Sequence, residues 1–328
     1  MTYLRSCSVR GLSYAELVKH TSGCLQTMKL LCHISDDEDL LQAWLDYYIG
    51  LGVSSFHLIV HGPAAENATL FQLKGSYPIF FEDAYVGEFS SNEKKRRIDS
   101  VLANWKGQWV LLVDSDEFVE FPYRRLSTTI RALEFFGANA LCAPLIQRLT
   151  PDGSLETPEI IRDPFRHFPL CSVELYQKMG VGAAISKYPL FFCHDSTCIA
   201  EGGNHHPPNG PSTVLSPLVA VTHHFKWRRP VLKKMARRIS SSHTWRHESA
   251  GYLTYLESHD FRLPTADSFI YSRAELLRRG LLRRATLLDA SSCALRGALT
   301  FLPKPLQNAA LHCYRALRRA LARAKGAN

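Results

Sequence analysis

The chain has 328 residues, 46% of them hydrophobic and 21% charged, which is enough to bury the core of one large α/β domain, alone or with an added subdomain. No apolar run approaches the roughly 20 residues that span a bilayer, and the polar start Met1 to Arg10 has no apolar stretch behind it, which argues against a secretory signal. Nine scattered cysteines without a Cys-x-x-Cys pair argue for free thiols in a reducing compartment, so the cytoplasm is the expected location; the formal charge of +9 is uneven, with no acidic residue after Asp289.

Met28 to Ile34 spells a strand. Asp39 to Leu51 spells a helix, because Leu40, Leu41, Trp44, Leu45, Tyr48 and Leu51 share one stripe at helical spacing, and Gly50 and Gly52 end it. Phe56 to Val60 is the next strand, closed by the turn His61-Gly62-Pro63. A short helix over Ala65 to Leu73 and a short strand over Tyr77 to Phe81 follow. Ser90 or Ser91 caps a helix that runs to Trp105, with Glu93 in its first turn. Trp109 to Val113 is uniformly apolar, as in a strand buried on both faces of a mostly parallel sheet. Tyr123 to Phe136 is helical, and Ala140 to Gln147 is a strand interrupted by Pro144. Strands and helices alternate up to here, which predicts a doubly wound α/β sheet of the Rossmann kind. No G-x-G-x-x-G and no P-loop occurs, so no nicotinamide or flavin cofactor is suggested. From Thr150 to Pro217 prolines, glycines and histidines crowd and periodicity is poor, which predicts loops and short strands around a site. Val219 to Thr222 is a short strand. Pro230 to Ser242 is a strongly basic helix, and Ser249 to Glu257 and Ser272 to Arg284 are further helices. Leu306 to Lys325 is a long basic helix whose Leu311, Tyr314, Leu317 and Leu321 share a face. That face either packs on the domain or lies on an anionic membrane surface.

The chemistry concentrates where Trp109 to Val113 ends in Asp114-Ser115-Asp116-Glu117. Alternation along an extended chain would put Asp114 and Asp116 on one side. Carboxylates crowded at the tip of a buried strand repel and lose solvation, so a positive charge belongs among them. Mg²⁺ or Mn²⁺ suits these hard oxygen ligands and also grips phosphate oxygens. The bland alternative is a turn that caps the following helix. In Glu201-Gly202-Gly203-Asn204-His205-His206, the glycines permit close approach of a ligand, and His205 is a candidate metal ligand. Glu201 and Asp195 are candidate general bases. In His223-His224-Phe225-Lys226-Trp227-Arg228, Lys226 and Arg228 are candidates to pair with diphosphate oxygens. A zinc site of Cys193, His194 and Cys198 has poor ligand spacing. Lys94-Lys95-Arg96-Arg97 is either a solvated helix face or a phosphate contact.

Four blocks in this order resemble glycosyltransferases of the family 2-like group. They are Cys32 to Val53, with Trp44 in its helix and Leu51-Gly52-Val53 leading to the second strand; Asp114-Ser115-Asp116-Glu117-Phe118; Gly203-Asn204-His205; and His224-Phe225-Lys226-Trp227-Arg228. The chain departs from the pattern at Asp37, where the group usually has Asn. The resemblance implies a GT-A-type, Rossmann-like, mostly parallel sheet flanked by helices over residues 28–250. Residues 1–27 would then form an N-terminal extension and residues 251–328 a helical, basic C-terminal extension. It implies a nucleotide-sugar donor contacted by Asp114, with Asp37 and Glu38 near the nucleotide. Asp116 would hold Mn²⁺ or Mg²⁺, completed by His224, and displacement would proceed with inversion. The implied acceptor is a glycan or a lipid-linked glycan; from its own composition, the basic C-terminal helix adds an expected peripheral membrane contact, and no nucleic-acid partner is expected. The enzyme would work in surface glycan synthesis, in the cytoplasm or at the inner face of the membrane. Two rivals remain at this stage: a metal-dependent phosphohydrolase or nuclease using the same carboxylates and histidines on water, and a non-enzymatic basic module.

Overall fold

The computed structural model describes residues 27–35, 37–62, 68–182, 186–199, 204–208, 213–241 and 245–282. Its centre is four parallel strands. β1 (Met28–Ile34) lies between β2 (Val53–His61) and β4 (Gln108–Leu112), and β3 (Ile79–Tyr85) pairs with the far side of β2. β1, β2 and β4 are almost entirely buried along their length, as strands covered on both faces are; the run Trp109 to Leu112 of β4 is apolar throughout, while β1 and β2 mix apolar residues with buried histidines. The sheet continues past β4 through antiparallel strands: β8 (Ser186–Cys193), then β6 (Ala140–Leu149), β7 (Leu170–Ser172) and β11 (Phe269–Ile270). β5 (Glu117–Glu120), β9 (Leu215–Val219) and β10 (Val221–His224) branch from this path. β10 runs antiparallel to β5 and parallel to β6. The expected mixed α/β class, with a parallel central sheet flanked by helices, is what the chain forms.

The helices follow the local signals. α1 (Glu38–Leu51) buries Leu40, Leu41, Trp44, Leu45 and Tyr48, the predicted stripe. It stops at Gly52, whose φ of 99° is left-handed and whose N–H reaches back to the carbonyls of Tyr48 and Ile49. α2 (Ala68–Lys74) follows. α3 (Ser91–Leu102) is capped by Ser90, which accepts from the Glu93 N–H. α4 (Leu126–Phe135), α5 (Pro164–His167), α6 (Leu175–Lys178), α7 (Pro230–Ile239), α8 (Arg246–Glu257) and α9 (Arg273–Arg278) complete the set among the described residues. Tyr252 and Leu256 of α8 pack with Trp227, Met235 and Leu175 in one buried cluster. No helix among the described residues is long and apolar enough to cross a membrane. The expected helix over Leu306 to Lys325 and the N-terminal extension to residue 26 lie outside the described residues.

Two readings of the sequence are corrected here. The stretch expected to be loops and short strands contains β8, an eight-residue strand inserted between β4 and β6. Lys187 and Pro189 hide it, since one is charged and the other cannot donate to a ladder. The pairing of β6 with β8 is irregular between Leu141 and Ala143, beside Pro189, which is how a sheet accommodates a proline. The second correction concerns Asp114 and Asp116. β4 ends at Leu112, and a turn over Ser115 and Asp116 lets the Glu117 N–H donate to the Asp114 carbonyl at 3.1 Å. Alternation holds only for extended chain, so it does not govern this pair.

That turn is clamped from α1. The Trp44 indole N–H points at the carbonyls of Asp114 (3.2 Å) and Glu117 (3.1 Å). The Tyr48 hydroxyl donates to the Glu117 carbonyl at 3.0 Å and accepts from the Val119 N–H at 3.1 Å. Both rings are fully buried, so these bonds are made away from water. Trp44→Phe keeps most of the packing and removes the donor. It is expected to lower the unfolding free energy by about 1–3 kcal/mol in urea titrations, the cost of leaving buried carbonyls unpaired.

Candidate active site

A cavity of about 630 Å³ opens at the carboxyl ends of β1, β2, β3 and β4. This is where open α/β sheets bind ligands, because the strand order reverses there and loops diverge to either side. β8 runs against β4, with Leu111 opposite Leu190 and Gln108 opposite Cys193. Its first residues therefore stand beside the carboxylates, and its last stand at the far end of the sheet.

This geometry places Lys187 in the acidic corner. Its ammonium reaches Asp114 Oδ2 at 2.9 Å, Glu117 Oε1 at 2.7 Å and Asn204 Oδ1 at 3.0 Å, so all its donors are used. The Lys187 side chain is 3% exposed and that of Glu117 1%. Lys94, on the first turn of α3, reaches the other oxygen of Asp114 at 2.7 Å. Burial raises the pKa of Asp114, but Lys187 and Lys94 together hold it well below the usual carboxylate range. Glu117 is pushed up, first by burial, against the pull of Lys187. The Asn204 amide donates to the Leu112 carbonyl at 2.7 Å, tying the loop after β8 to the end of β4.

Asp116 faces the other way. His224, the last residue of β10, brings Nε2 to 3.3 Å from Asp116 Oδ2. The pKa of Asp116 is lowered, with burial opposing and His224 the main favourable influence. One ligand atom each from Asp116, Glu117 and His224 lie within 4.8 Å of one another. Two hard oxygens and an imidazole nitrogen fit Mn²⁺ or Mg²⁺ and leave coordination positions for phosphate oxygens. The Tyr176 hydroxyl lies 3.4 Å from His224 Nδ1, which orients the ring.

The remaining candidates separate. Asp114 lines the cavity, but both its oxygens are held by lysines and it is not among the three residues whose donor atoms could hold a cation. His205 lines the cavity, with Nδ1 donating to the Ser186 carbonyl at 3.2 Å; it stays neutral, since burial first and Lys187 second push its pKa down to about 2. It stands outside the group that Asp116, Glu117 and His224 form. Arg228 is not available to a diphosphate as expected. Buried, it is paired with Asp39 and, at 2.5 Å, with Asp37. Asp37 also accepts from the Ser115 hydroxyl at 2.6 Å, so this triad ties the end of β1 to the acidic turn and to the end of β10. Glu38 is exposed on α1 and does not line the cavity. Asp195 follows the far end of β8, its side chain 92% exposed and 4.0 Å from Lys106; the strand direction puts it across the sheet from the cavity, which removes it as a base. Glu201 lies outside the described residues. The Cys193 thiol points at the Leu102 carbonyl and His194 at Asn139, so these two residues are committed elsewhere than to a zinc site.

Lys226 also lines the cavity. It lies 3.9 Å from the centre of the Tyr252 ring, 5.0 Å from that of Trp227 and 3.8 Å from Glu248. Burial lowers its pKa to about 7. Sequence reasoning missed Lys187, Tyr176 and Glu248. Lys187 carries the most weight, and the need for positive charge at the strand tip was the one signal that pointed to such a residue.

No protein-family profile matches the chain, and no curated protein matches it in sequence. Solved structures with some likeness include S. aureus TarS 1-349, at 12% identity and a TM-score of 0.29, covering 89% of this chain and 87% of that one. The same protein in complex with UDP-GlcNAc gives 11% and 0.32 over 89% and 88%. A Desulfovibrio desulfuricans protein described as a nucleotide-diphospho-sugar transferase gives 13% and 0.26 over 72% and 96%. Likeness at this level adds nothing to the site's own geometry.

Two outcomes are expected. Arg228→Met leaves two carboxylates buried without their partner and destabilises the fold by about 3–5 kcal/mol in denaturant titrations. The second concerns pH. A folded-state pKa of about 7 for Lys226 lies below its ordinary value of 10.5. Between those values the unfolded chain binds a proton that the folded chain does not, so this residue makes stability rise with pH. The stability difference between wild type and Lys226→Met, measured by urea unfolding, should therefore move in favour of wild type from pH 7 to pH 9.

Proposed function

We propose that the chain is a metal-dependent glycosyltransferase that moves a sugar from a nucleotide-diphosphate donor to a hydroxyl of a glycan or lipid-linked acceptor in surface glycan synthesis. The observation that carries this reading is the meeting, in one cavity, of the Asp116, Glu117 and His224 donor set with a cationic wall from α3, α7 and the end of β10. A diphosphate needs both: cations to neutralise it, and a cavity at the sheet's carboxyl edge to hold it. Bound there, Mn²⁺ or Mg²⁺ supplies Lewis-acid stabilisation of the leaving diphosphate.

The chain's own residues supply the rest. Lys94 and Lys234 line the cavity and provide positive charge for phosphate oxygens, each already steadied by a carboxylate, Asp114 and Asp37 respectively. Asp114, kept ionised by its two lysines, faces the cavity as an acceptor for ribose or sugar hydroxyls. At the ends of β1, β2 and β3, His33, His61, Tyr85 and Phe89 pack with ring centres 4.5–5.9 Å apart and mostly tilted to one another, an aromatic cluster beside the cavity that offers ring faces and edges to a nucleobase. Glu201 stays the proposed base for the acceptor hydroxyl, and displacement with inversion the proposed course.

The test is a thermal-shift screen of UDP- and GDP-sugars with and without Mn²⁺. The expected result is a rise in melting temperature with at least one donor that depends on the metal, because a ligand that binds only the native state stabilises it. Asp116→Asn is expected to abolish that shift and to lower transfer by at least about 100-fold. Release of phosphate from simple phosphoesters, with no response to any sugar nucleotide, would overturn the reading.

A further inference from the structure

The cavity holds more positive charge than a donor's diphosphate calls for. Resting on the glycosyltransferase reading just proposed, we infer that Lys226 and the α7 arginines Arg237 and Arg238 form an anion subsite beside the donor, and that the acceptor carries an acidic group, a phosphate or a carboxylate, that sits there.

The charge of a sugar nucleotide's diphosphate is matched by one divalent cation. Lys94 and Lys234, each against a carboxylate at the acidic end of the cavity, add to that. Lys226, Arg237 and Arg238 line the same cavity beyond this need. Lys234, Arg237 and Arg238 stand at i, i+3 and i+4 on α7, so one helical stripe carries all three to the cavity. Along that stripe the charge runs from Lys234, 3.7 Å from Asp37, to Arg238, one turn and about 6 Å further along the axis. The Arg238 guanidinium lies 5.2 Å from the centre of the Trp245 ring, which packs in turn on Phe89 with ring centres 4.9 Å apart. The positive stripe therefore leads away from the acidic turn and along the cavity wall.

Lys226 is the independent observation. Its side chain is 13% exposed, and its ammonium faces the rings of Tyr252, Trp227 and Tyr176 at 3.9, 5.0 and 5.4 Å from their centres. Ring faces attract a cation but leave its N–H groups without strong acceptors. Among the described residues its carboxylate partner is Glu248, at 3.8 Å, which is beyond hydrogen-bond reach. That same Glu248 oxygen accepts from the Tyr252 hydroxyl at 2.6 Å. An ammonium so enclosed is short of counter-charge, and an anion entering from the cavity supplies it. Arg238 is near enough for its charge to oppose that of Lys226, so one acidic group between them relieves both. The hydroxyls of a neutral sugar would not.

The experiment uses the full chain with UDP or GDP and Mg²⁺ bound, and reads the melting temperature as small probes are added at equal millimolar concentration and ionic strength. The probes are glycerol 3-phosphate and glucuronate, each beside its neutral counterpart, glycerol or glucose. At least one anion should raise the melting temperature saturably while the neutral probes do not, and the tighter of the two names the acid. Lys226→Met and Arg238→Gln should each weaken that anion by at least about tenfold, Arg238→Lys by less, and nucleotide binding should change by about threefold or less in all three. Retention by Arg238→Lys separates charge from a merely structural role. If Lys226→Met does not fold, the Arg238 pair decides. Equal responses to charged and neutral probes, or a loss of nucleotide affinity as large as the loss of anion affinity, would overturn the inference and leave the donor reading in place. A wild-type chain that responds to neither nucleotide would overturn the donor reading and this inference with it.

Discussion

Three carboxylates crowded into one turn at the tip of a buried strand need positive partners from the protein itself, and the rest of the site is arranged around how these are supplied. Asp114, Asp116 and Glu117 crowd into one turn, with Glu117 sealed from solvent. Charge of one sign at that density in a low-dielectric corner would unfold the turn or protonate it. Lys187 and Lys94 answer Asp114 and Glu117, and His224 lies against Asp116. Part of the negative charge is thus paired within the protein, and the corner keeps a set of hard donors on the side facing the cavity.

The topology serves this balance. β8 enters the sheet antiparallel to β4, and only that direction sets its second residue, Lys187, at the carboxyl end of β4. β10 lies antiparallel to β5, with His224 opposite Glu117. The strand that carries the acids and the strand that carries the histidine are therefore in register. Arg228 closes the frame from below: buried with Asp37 and Asp39, it joins the end of β1 to the chain leaving β10. Such a buried ion cluster is weak evidence of stability by itself, because desolvation offsets the attraction. Its contribution here is position. Together with the Trp44 and Tyr48 clamps, it holds the acidic turn from three sides.

Much of the fold was legible because local signals agreed with tertiary packing. The apolar stripe of α1, the glycine that ends it, the serine cap of α3 and the continuous apolar run of β4 are each short-range in origin. The site was legible only in part. The structure brings Asp116, Glu117 and His224 together; the sequence marked Asp116 by carboxylate density and His224 through the resemblance, and left Glu117 as a neighbour in the same turn. β8 escaped notice because its buried lysine and its proline break the apolar pattern by which strands are read. Asp195 was misplaced because proximity in sequence to the His205 loop says nothing of which end of a strand it follows. Arg228 looked like a phosphate ligand until the structure showed carboxylates on both sides of it.

The sequence by itself determined the α/β class, the alternation of strands and helices in the first half and the fact that a positive charge must sit at the acidic strand tip. These follow from periodicity and from charge repulsion between near neighbours, both of which act over a few residues. Only the tertiary structure decided which partner answers which carboxylate. That choice depends on strand direction and on a turn at Ser115. It sends Asp114 to two lysines, 20 and 73 residues away, and Asp116 to a histidine at the end of another strand. Partners so distant in the chain are brought together by packing, and no local pattern records it.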